Sequence, residues 1–333
     1  MKNKIFLFFL LLAVLILPAQ ARIIGYISLD FVKGLGQSEL PKGSFQNSQA
    51  GLLFFGEITP GVSYLTEVNL KPEGTFDLEQ AWVSLGTSEK FSLKMGLYTV
   101  PFGRYNQSNR PHQTIMINPP LNVERMYPSL WNDVGILLEG GTRRFFYSAF
   151  LGNGLSEDES LAGGQQFKDN NKDKGMGGRL GFVLSQGFEM AFSYYRGKYD
   201  DDNSRDLSLQ GIDLFWYLEG VLVHSEYSRA RMDIPGDTEN AEGWFVQVAL
   251  DMGQFRPVVC YQSLDYEDSF HGPGFVSPDV PGAGIFEKKR RWAFGIVYNA
   301  AQNLLLKLEY DLNREEGIEL DDDSLSIQVA FSF

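Results

Sequence analysis

Cysteine is all but missing from this chain. Cys260 stands alone among 333 residues, so no internal disulfide can form. Small exported domains commonly lean on disulfides, whereas a large closed barrel has no need of them. Histidine is scarce as well: His112, His224 and His271 are scattered and form no ligand pair. Basic charge falls short of acidic charge, 29 Lys and Arg against 42 Asp and Glu, a net of -13. A nucleic-acid partner would need a basic surface and is therefore excluded. After the first 21 residues no apolar run approaches the roughly 20 residues of a helical membrane span. There is no Gly-x-Ser-x-Gly elbow and no convincing Ser-His-Asp set. His224 and Ser225 are adjacent, and neighbours on a strand face opposite ways. The run from Asp169 to Gly175 alternates Asp and Asn, but its glycine is misplaced for a calcium loop and no glutamate follows at the needed spacing. No enzyme, cofactor or metal site is expected, and at most loose divalent-cation binding at the acidic loops.

What is present begins with Met1-Lys2-Asn3-Lys4, an apolar run from Ile5 to Leu17, and Pro18-Ala19-Gln20-Ala21. Positive charge, a short apolar run and an Ala-x-Ala ending predict a secretory signal peptide over 1–21, leaving one domain over 22–333. Aromatics reach 14%, with 26 Phe and 15 Tyr, and there are 35 Gly. Mean hydropathy is only -0.17. That combination suits strands that are apolar on one side only.

The tail shows the pattern. Leu325, Ile327, Val329, Phe331 and Phe333 alternate with Ser326, Gln328, Ala330 and Ser332. Alternation of this kind means a strand with one apolar and one wet face. It recurs in Leu304–Asn313, Arg291–Asn299, Trp244–Asp251, Phe188–Tyr195 and Phe91–Tyr98, with any charges sharing one face. The pattern predicts about 16 strands, at 22–31, 47–58, 61–70, 76–86, 90–98, 131–140, 143–152, 176–185, 187–197, 206–217, 221–230, 241–251, 254–264, 288–299, 303–313 and 324–333. Short links alternate with long ones at 32–46, 99–130, 153–175, 198–205, 231–240, 265–287 and 314–323, and a shorter one at 71–75. Tight turns at one rim and long loops at the other belong to outer-membrane barrels, and a soluble sandwich has no reason to sort its links this way. An even count brings both termini to the short-turn rim. Aromatics near strand ends (Tyr26, Phe31, Trp82, Tyr98, Tyr127, Trp131, Tyr194, Trp216, Tyr227, Trp244, Tyr261, Trp292 and Tyr298) are expected to form interfacial girdles. The fold class is thus all-β, a transmembrane antiparallel β-barrel in outer-membrane lipid.

The segment Met95-Gly96-Leu97-Tyr98-Thr99-Val100-Pro101-Phe102-Gly103-Arg104-Tyr105-Asn106 resembles a signature of the phosphate-selective porin O and P family. Leu78–Val83, Trp131–Gly135 and Leu151–Gly154 agree with it. The Phe333 terminus is similar to the signal read by barrel-assembly machinery. The resemblance implies a 16-stranded homotrimeric channel for small solutes with an inward-folding third extracellular loop. The family's best-known members line their pores with an arginine ladder and a lysine cluster. No lysine cluster is found here, which puts strict phosphate selectivity in doubt.

For a channel, the working residues narrow the pore and set its field. The link 99–130 is the candidate constriction loop. Its apolar Ile115-Met116-Ile117 lies between Pro111 and Pro119, which suits packing against the wall. It carries Arg104, Arg110 and Arg125 against Glu124 alone. Two readings stand side by side: a mild anion preference, or arginines that merely bond carbonyls and wall carboxylates to hold the loop. Lys94, Asp133, Glu139, Arg179, Arg256, Arg291, Lys307 and Glu309 are placed on the pore lining, a mixture that suits a general water-filled channel. His224 is read as a solvated wall residue, Cys260 as a small filler, and Pro257 as a bulge or strand end near the short-turn rim. The competing reading is a structural or adhesive barrel plugged by its loops.

Overall fold

The computed structural model describes residues 21–35, 40–72, 74–88, 90–158, 161–234, 237–266, 288–316 and 322–333. The expected signal peptide, the link 267–287 with His271, and part of the last long link lie outside them.

Sixteen strands form one closed antiparallel barrel. They are β1 (Arg22–Gly34), β2 (Ser44–Thr59), β3 (Val62–Leu70), β4 (Phe76–Ser88), β5 (Phe91–Thr99), β6 (Asn132–Gly141), β7 (Phe145–Gly152) and β8 (Gly175–Ser185). β9 (Phe188–Lys198), β10 (Asp206–Leu218), β11 (Val221–Ile234), β12 (Asp237–Leu250), β13 (Phe255–Tyr266), β14 (Lys288–Ala301), β15 (Leu304–Glu316) and β16 (Ser324–Ser332) complete it. Each strand pairs with its sequence neighbours, and β16 closes on β1 with Tyr26 opposite Ser332 and Lys33 opposite Leu325. Gly25 and Phe333 exchange two backbone hydrogen bonds of 2.9 Å, so closure extends to the last residue. Both strand ends lie at the short-turn rim. Closure leaves no unpaired edge, the condition for strands to cross a bilayer.

The alternation faces outward as expected. On β15, Leu306 and Leu308 are exposed while Lys307, Glu309, Asp311 and Asn313 are buried. On β16, Ile327, Val329 and Phe331 are exposed while Ser326, Gln328 and Ala330 are buried. Apolar side chains on the outside and polar ones within invert a soluble barrel. The girdle expectation holds in part. Trp244, Tyr261 and Trp292 line up along the outside, the first pair edge-to-face with centroids 5.4 Å apart and the second tilted at 4.6 Å. Tyr26, Tyr98, Tyr127 and Trp131 are instead buried at 0–2% exposure; they face or belong to the interior.

Pro257, third in β13, pairs in unbroken register with Ile296 and sits near the short-turn rim, so it marks a strand end rather than a bulge. One long link is corrected. The stretch 231–240 is mostly strand, because β11 runs to Ile234 and β12 starts at Asp237. Its outward side chains include Arg231 and Asn240, which face each other across the ladder and whose polarity resembles that of a loop although the ladder continues.

Candidate functional site

The segment 100–131, between β5 and β6, lies against the inner face of the barrel. Pro101, Pro111, Pro119, Pro120 and Pro128 forbid a regular ladder. What forms instead is a single 3-10 turn at Asn106–Ser108 and one short helix, α1 (Leu121–Arg125). Its apolar side chains supply an interior that a polar-lined barrel otherwise lacks. Val100, Phe102, Leu121, Val123, Met126, Tyr127 and Trp131 are at most 1% exposed. They pack on inward-facing Tyr195, Leu209, Phe245, Cys260, Leu264 and Ala293. Full burial of such side chains is worth about 1.5–3 kcal/mol each. Cys260 is a buried filler, as expected.

Polar bonds then fix the loop from many sides. Arg110 makes a two-pronged bond to Glu67 on β3, Nε to Oε1 at 2.7 Å and Nη2 to Oε2 at 2.5 Å, with both side chains buried. The Arg104 and Tyr105 backbone N–H groups donate to Glu226 Oε1 on β11 at 2.8 and 2.6 Å. Arg104 also pairs with Glu189 on β9 and lies over the Phe215 ring at 3.8 Å. Leu121 N donates to Gln262 on β13, 2.9 Å. Arg291 on β14 holds the Pro119 carbonyl at 3.3 Å and Glu124 at 3.1 Å. Lys307 on β15 donates to the Pro111 carbonyl at 2.7 Å and to Thr114 Oγ1 at 3.2 Å. Glu309 accepts from Ile117 N, and Asp311 from Asn118 Nδ2 at 2.8 Å. Partners on β3, β9, β11, β13, β14 and β15 require the loop to run across the inside of the wall.

The Pro-Phe-Gly corner has a structural reason. Gly103 sits at φ +66, and a Cβ there would come within 2.5 Å of Glu226 Oε2. Phe102 stacks edge-on against Tyr127 at 5.1 Å. Glycine lets the chain turn onto the Glu226 carboxylate that bonds the next two N–H groups.

The residues placed on the lining, taken together with Arg104 of the loop, separate into four sets. Arg104, Arg179 and Arg256 border one chamber. Lys94 and Glu139 form a 2.5 Å pair on the inner wall, with Lys94 over the Trp82 ring. Arg291, Lys307 and Glu309 are at most 7% exposed and are spent on the loop. Asp133 is fully buried at the start of β6 and accepts from the N–H groups of Val134, Asn153 and Gly154 at 2.7–3.0 Å. It fastens the next long link. Among the loop charges, Arg110 is buried, whereas Arg125 is half-exposed and pairs with Glu124 at 3.0 Å. Desolvation would raise the Glu124 carboxyl, but the charges of Arg291 and Arg125 outweigh it and hold it below its ordinary range. His224, read from sequence as solvated, is instead 8% exposed, bonded to Glu226 at 2.9 Å and edged by Phe245. His112 lies 4.9 Å from the Tyr26 ring. Burial first, then the nearby Arg110 charge, push its imidazole down to about 4.

The loop separates two cavities. The outer, near the long links, measures about 890 Å³ and is bordered by β16 and β1–β4. The inner, toward the short turns, measures about 450 Å³ and is bordered by β8 and β10–β13. Thr114 borders both. Sequence reading missed the outer wall, whose Gln46, Gln49, Asn69 and Gln328 are neutral. Their only signal was their place on the same strand face as the charges. Among the described residues no cluster of His, Cys, Asp and Glu could hold a metal ion.

A closed 16-stranded barrel, apolar outside and braced within by the link after its fifth strand, defines a channel-type outer-membrane protein. The profile of the Gram-negative porin family matches residues 28–318, and the chain belongs to that family. It resides in the outer membrane. Solved structures share the fold at low identity. OmpF of Salmonella typhi, in complex with daunomycin, is 14% identical, with TM-score 0.70 over 94% of this chain and 97% of that one. The anion-selective porin from Comamonas acidovorans is 10% identical, with TM-score 0.67 over 94% and 99%. OmpT of Vibrio cholerae in its trimer form is 10% identical, with TM-score 0.66 over 94% and 99%.

Proposed function

We propose that this porin is a passive diffusion channel for small hydrophilic solutes with a mild preference for anions, and that the preference arises in the inner chamber. The observation that carries this is the chamber's border. Arg104, Arg179 and Arg256 lie on it, while their partners Glu189, Asp213 and Asp251 do not. The chamber meets each ion pair from its guanidinium side, which leaves a weak positive field there. The pairs are close to neutral overall, so the preference is weak. This relocates the basic set predicted from the loop alone: Arg110 is committed to Glu67, and Arg125 lies outside both chambers. The resemblance of the corner after β5 supports reading the chain as a general member of the phosphate-selective O and P porins. Passive diffusion needs no covalent step, and no enzymatic activity is part of this reading. Assembly is as a homotrimer in outer-membrane lipid, with the strand ending in Phe333 presented to barrel-assembly machinery. The trimeric form of the OmpT relative supports the first of these.

The test is a planar-bilayer measurement in a salt gradient. Wild-type channels give open steps and a reversal potential on the anion side, and the Arg104→Ala, Arg256→Ala double variant moves it toward the cation side. An unchanged potential would sink the inner-chamber assignment. Absence of steps in the wild type would favour a barrel plugged by its loop.

A further inference from the structure

We infer that the outer cavity is a binding subsite for a neutral polyhydroxylated solute, a saccharide-like molecule, held at the seam where the first and last strands meet. This rests on the diffusion-channel reading and names a solute class for it.

Three independent features coincide there. The first is a polar wall across five adjacent strands. Gln328 on β16 faces Asp30 on β1; Gln49 on β2 accepts from Asn69 on β3 at 2.8 Å; Glu79 on β4 borders the same space. The second is a set of unpartnered acceptors. Asp30, Asn69 and Gln328 are only 3–5% exposed, yet Asp30 Oδ1, Asn69 Oδ1 and Gln328 Oε1 each lack a hydrogen-bond partner. Buried polar atoms are nearly always paired, so three orphans bordering one cavity call for a donor from outside the chain. The third is backbone strain. Four non-glycine residues among those described have positive φ, and two of them border this cavity, Asn47 at 52° on β2 and Leu130 at 59° in the loop. Leucine in that region is a genuine outlier, and such strain gathers at ligand sites. Asn47 lies in the irregularity of the β1–β2 pairing, where partners shift between Ser28 and Asp30. Bulges at barrel rims re-aim side chains, and this one turns both Gln46 and Gln49 inward.

The chemistry selects the ligand. Orphaned acceptors sit beside amide donors, so the wall asks for groups that both donate and accept, and hydroxyls do both. A phosphate would meet Asp30 and Glu79, with Lys71 already paired to Asp77 at 2.5 Å. The cavity volume is within the range of small-molecule sites, about 300–1,000 Å³.

The experiment reads ion current through single wild-type channels while a neutral trisaccharide is added to the side bearing the long links. Concentration-dependent interruptions of the open current are expected. Polyethylene glycol of equal mass accepts hydrogen bonds but has donors only at its ends, and it should give none. Asn69→Leu and Gln328→Leu should each weaken the trisaccharide's apparent affinity about tenfold, the value of one buried hydrogen bond. Arg231→Gln, on the outer barrel face, is the control that leaves it unchanged. Open channels that pass trisaccharide and glycol alike overturn the subsite and leave the channel reading standing. Interruption by inorganic phosphate or magnesium in place of sugar also overturns it. No open current at all is failure of the channel reading itself. The trisaccharide-against-glycol comparison needs no variant to fold.

Discussion

Gly103 shows what single residues contribute here. The corner was visible in the sequence as Pro101-Phe102-Gly103, but its reason lies on β11, more than a hundred residues away. Glu226 accepts two loop N–H groups and bonds the His224 imidazole, and a Cβ at position 103 would press on its second oxygen. Gly103→Ala should therefore loosen the loop. Left-handed backbone alone costs an L-residue about 1–2 kcal/mol, and the clash with Glu226 adds to that. The barrel strands do not depend on this corner, so the effect should be local. Limited trypsin digestion at about neutral pH is the measurement, since Arg104 and Arg110 are protected while the loop is seated. Faster cleavage at these two sites with an intact barrel is the expected result; equal rates would show that the corner tolerates a side chain.

Strands were legible at the scale of the element because lipid on one side and polar lining on the other write a period of two into each of them. The reading failed where that rule stops. Beyond the membrane, β11 and β12 continue with Arg229, Arg231, Asn240 and Glu242 outward, and composition alone resembles a loop. Within the lumen, Leu207, Leu209, Phe245 and Leu264 face inward against the loop, so the inner face is not uniformly wet. The loop itself was recognisable from its prolines, but not its fastenings, which come from six strands spread through the sequence. One fastening is sensitive to pH. His112 is seated neutral, its proton affinity lowered to about 4 by burial and then by Arg110 and Lys307, against the opposing pull of Glu67. A released loop would return the imidazole to its ordinary value of 6.5. Between those values the released form binds a proton that the seated form does not. Seating is thus fully favoured above about pH 6.5 and weakens as pH falls toward about 4. Amide exchange in 108–118, corrected for intrinsic rates, should show less protection at about pH 5 than at about pH 7. His112→Phe should flatten the difference, and the same slope in that variant would place the sensitivity elsewhere.

For the whole molecule, net charge is a poor guide to what passes. The chain carries -13, yet the inner chamber is bordered by three arginines and no carboxylate. The acidic excess was plain in the sequence. Its distribution was not, because it depends on which charges the loop consumes: Glu67, Glu189, Glu226, Glu309 and Asp311 are all bonded to it. What remains at the chamber is a set of ion pairs seen from their positive side. A field of that kind is short-ranged, unlike that of a ring of unpaired lysines. It should collapse as the screening length falls from about 10 Å at 0.1 M salt to about 3 Å at 1 M. Reversal potentials taken at a fixed gradient ratio should therefore report anion preference in dilute potassium chloride and approach zero in concentrated solution. Selectivity that persists undiminished at about 1 M would mean an anion held in direct contact by a fixed donor fork. In that case Arg104→Lys, which keeps the charge but loses the fork, would abolish it while leaving the dilute-salt preference of a purely electrostatic channel in place.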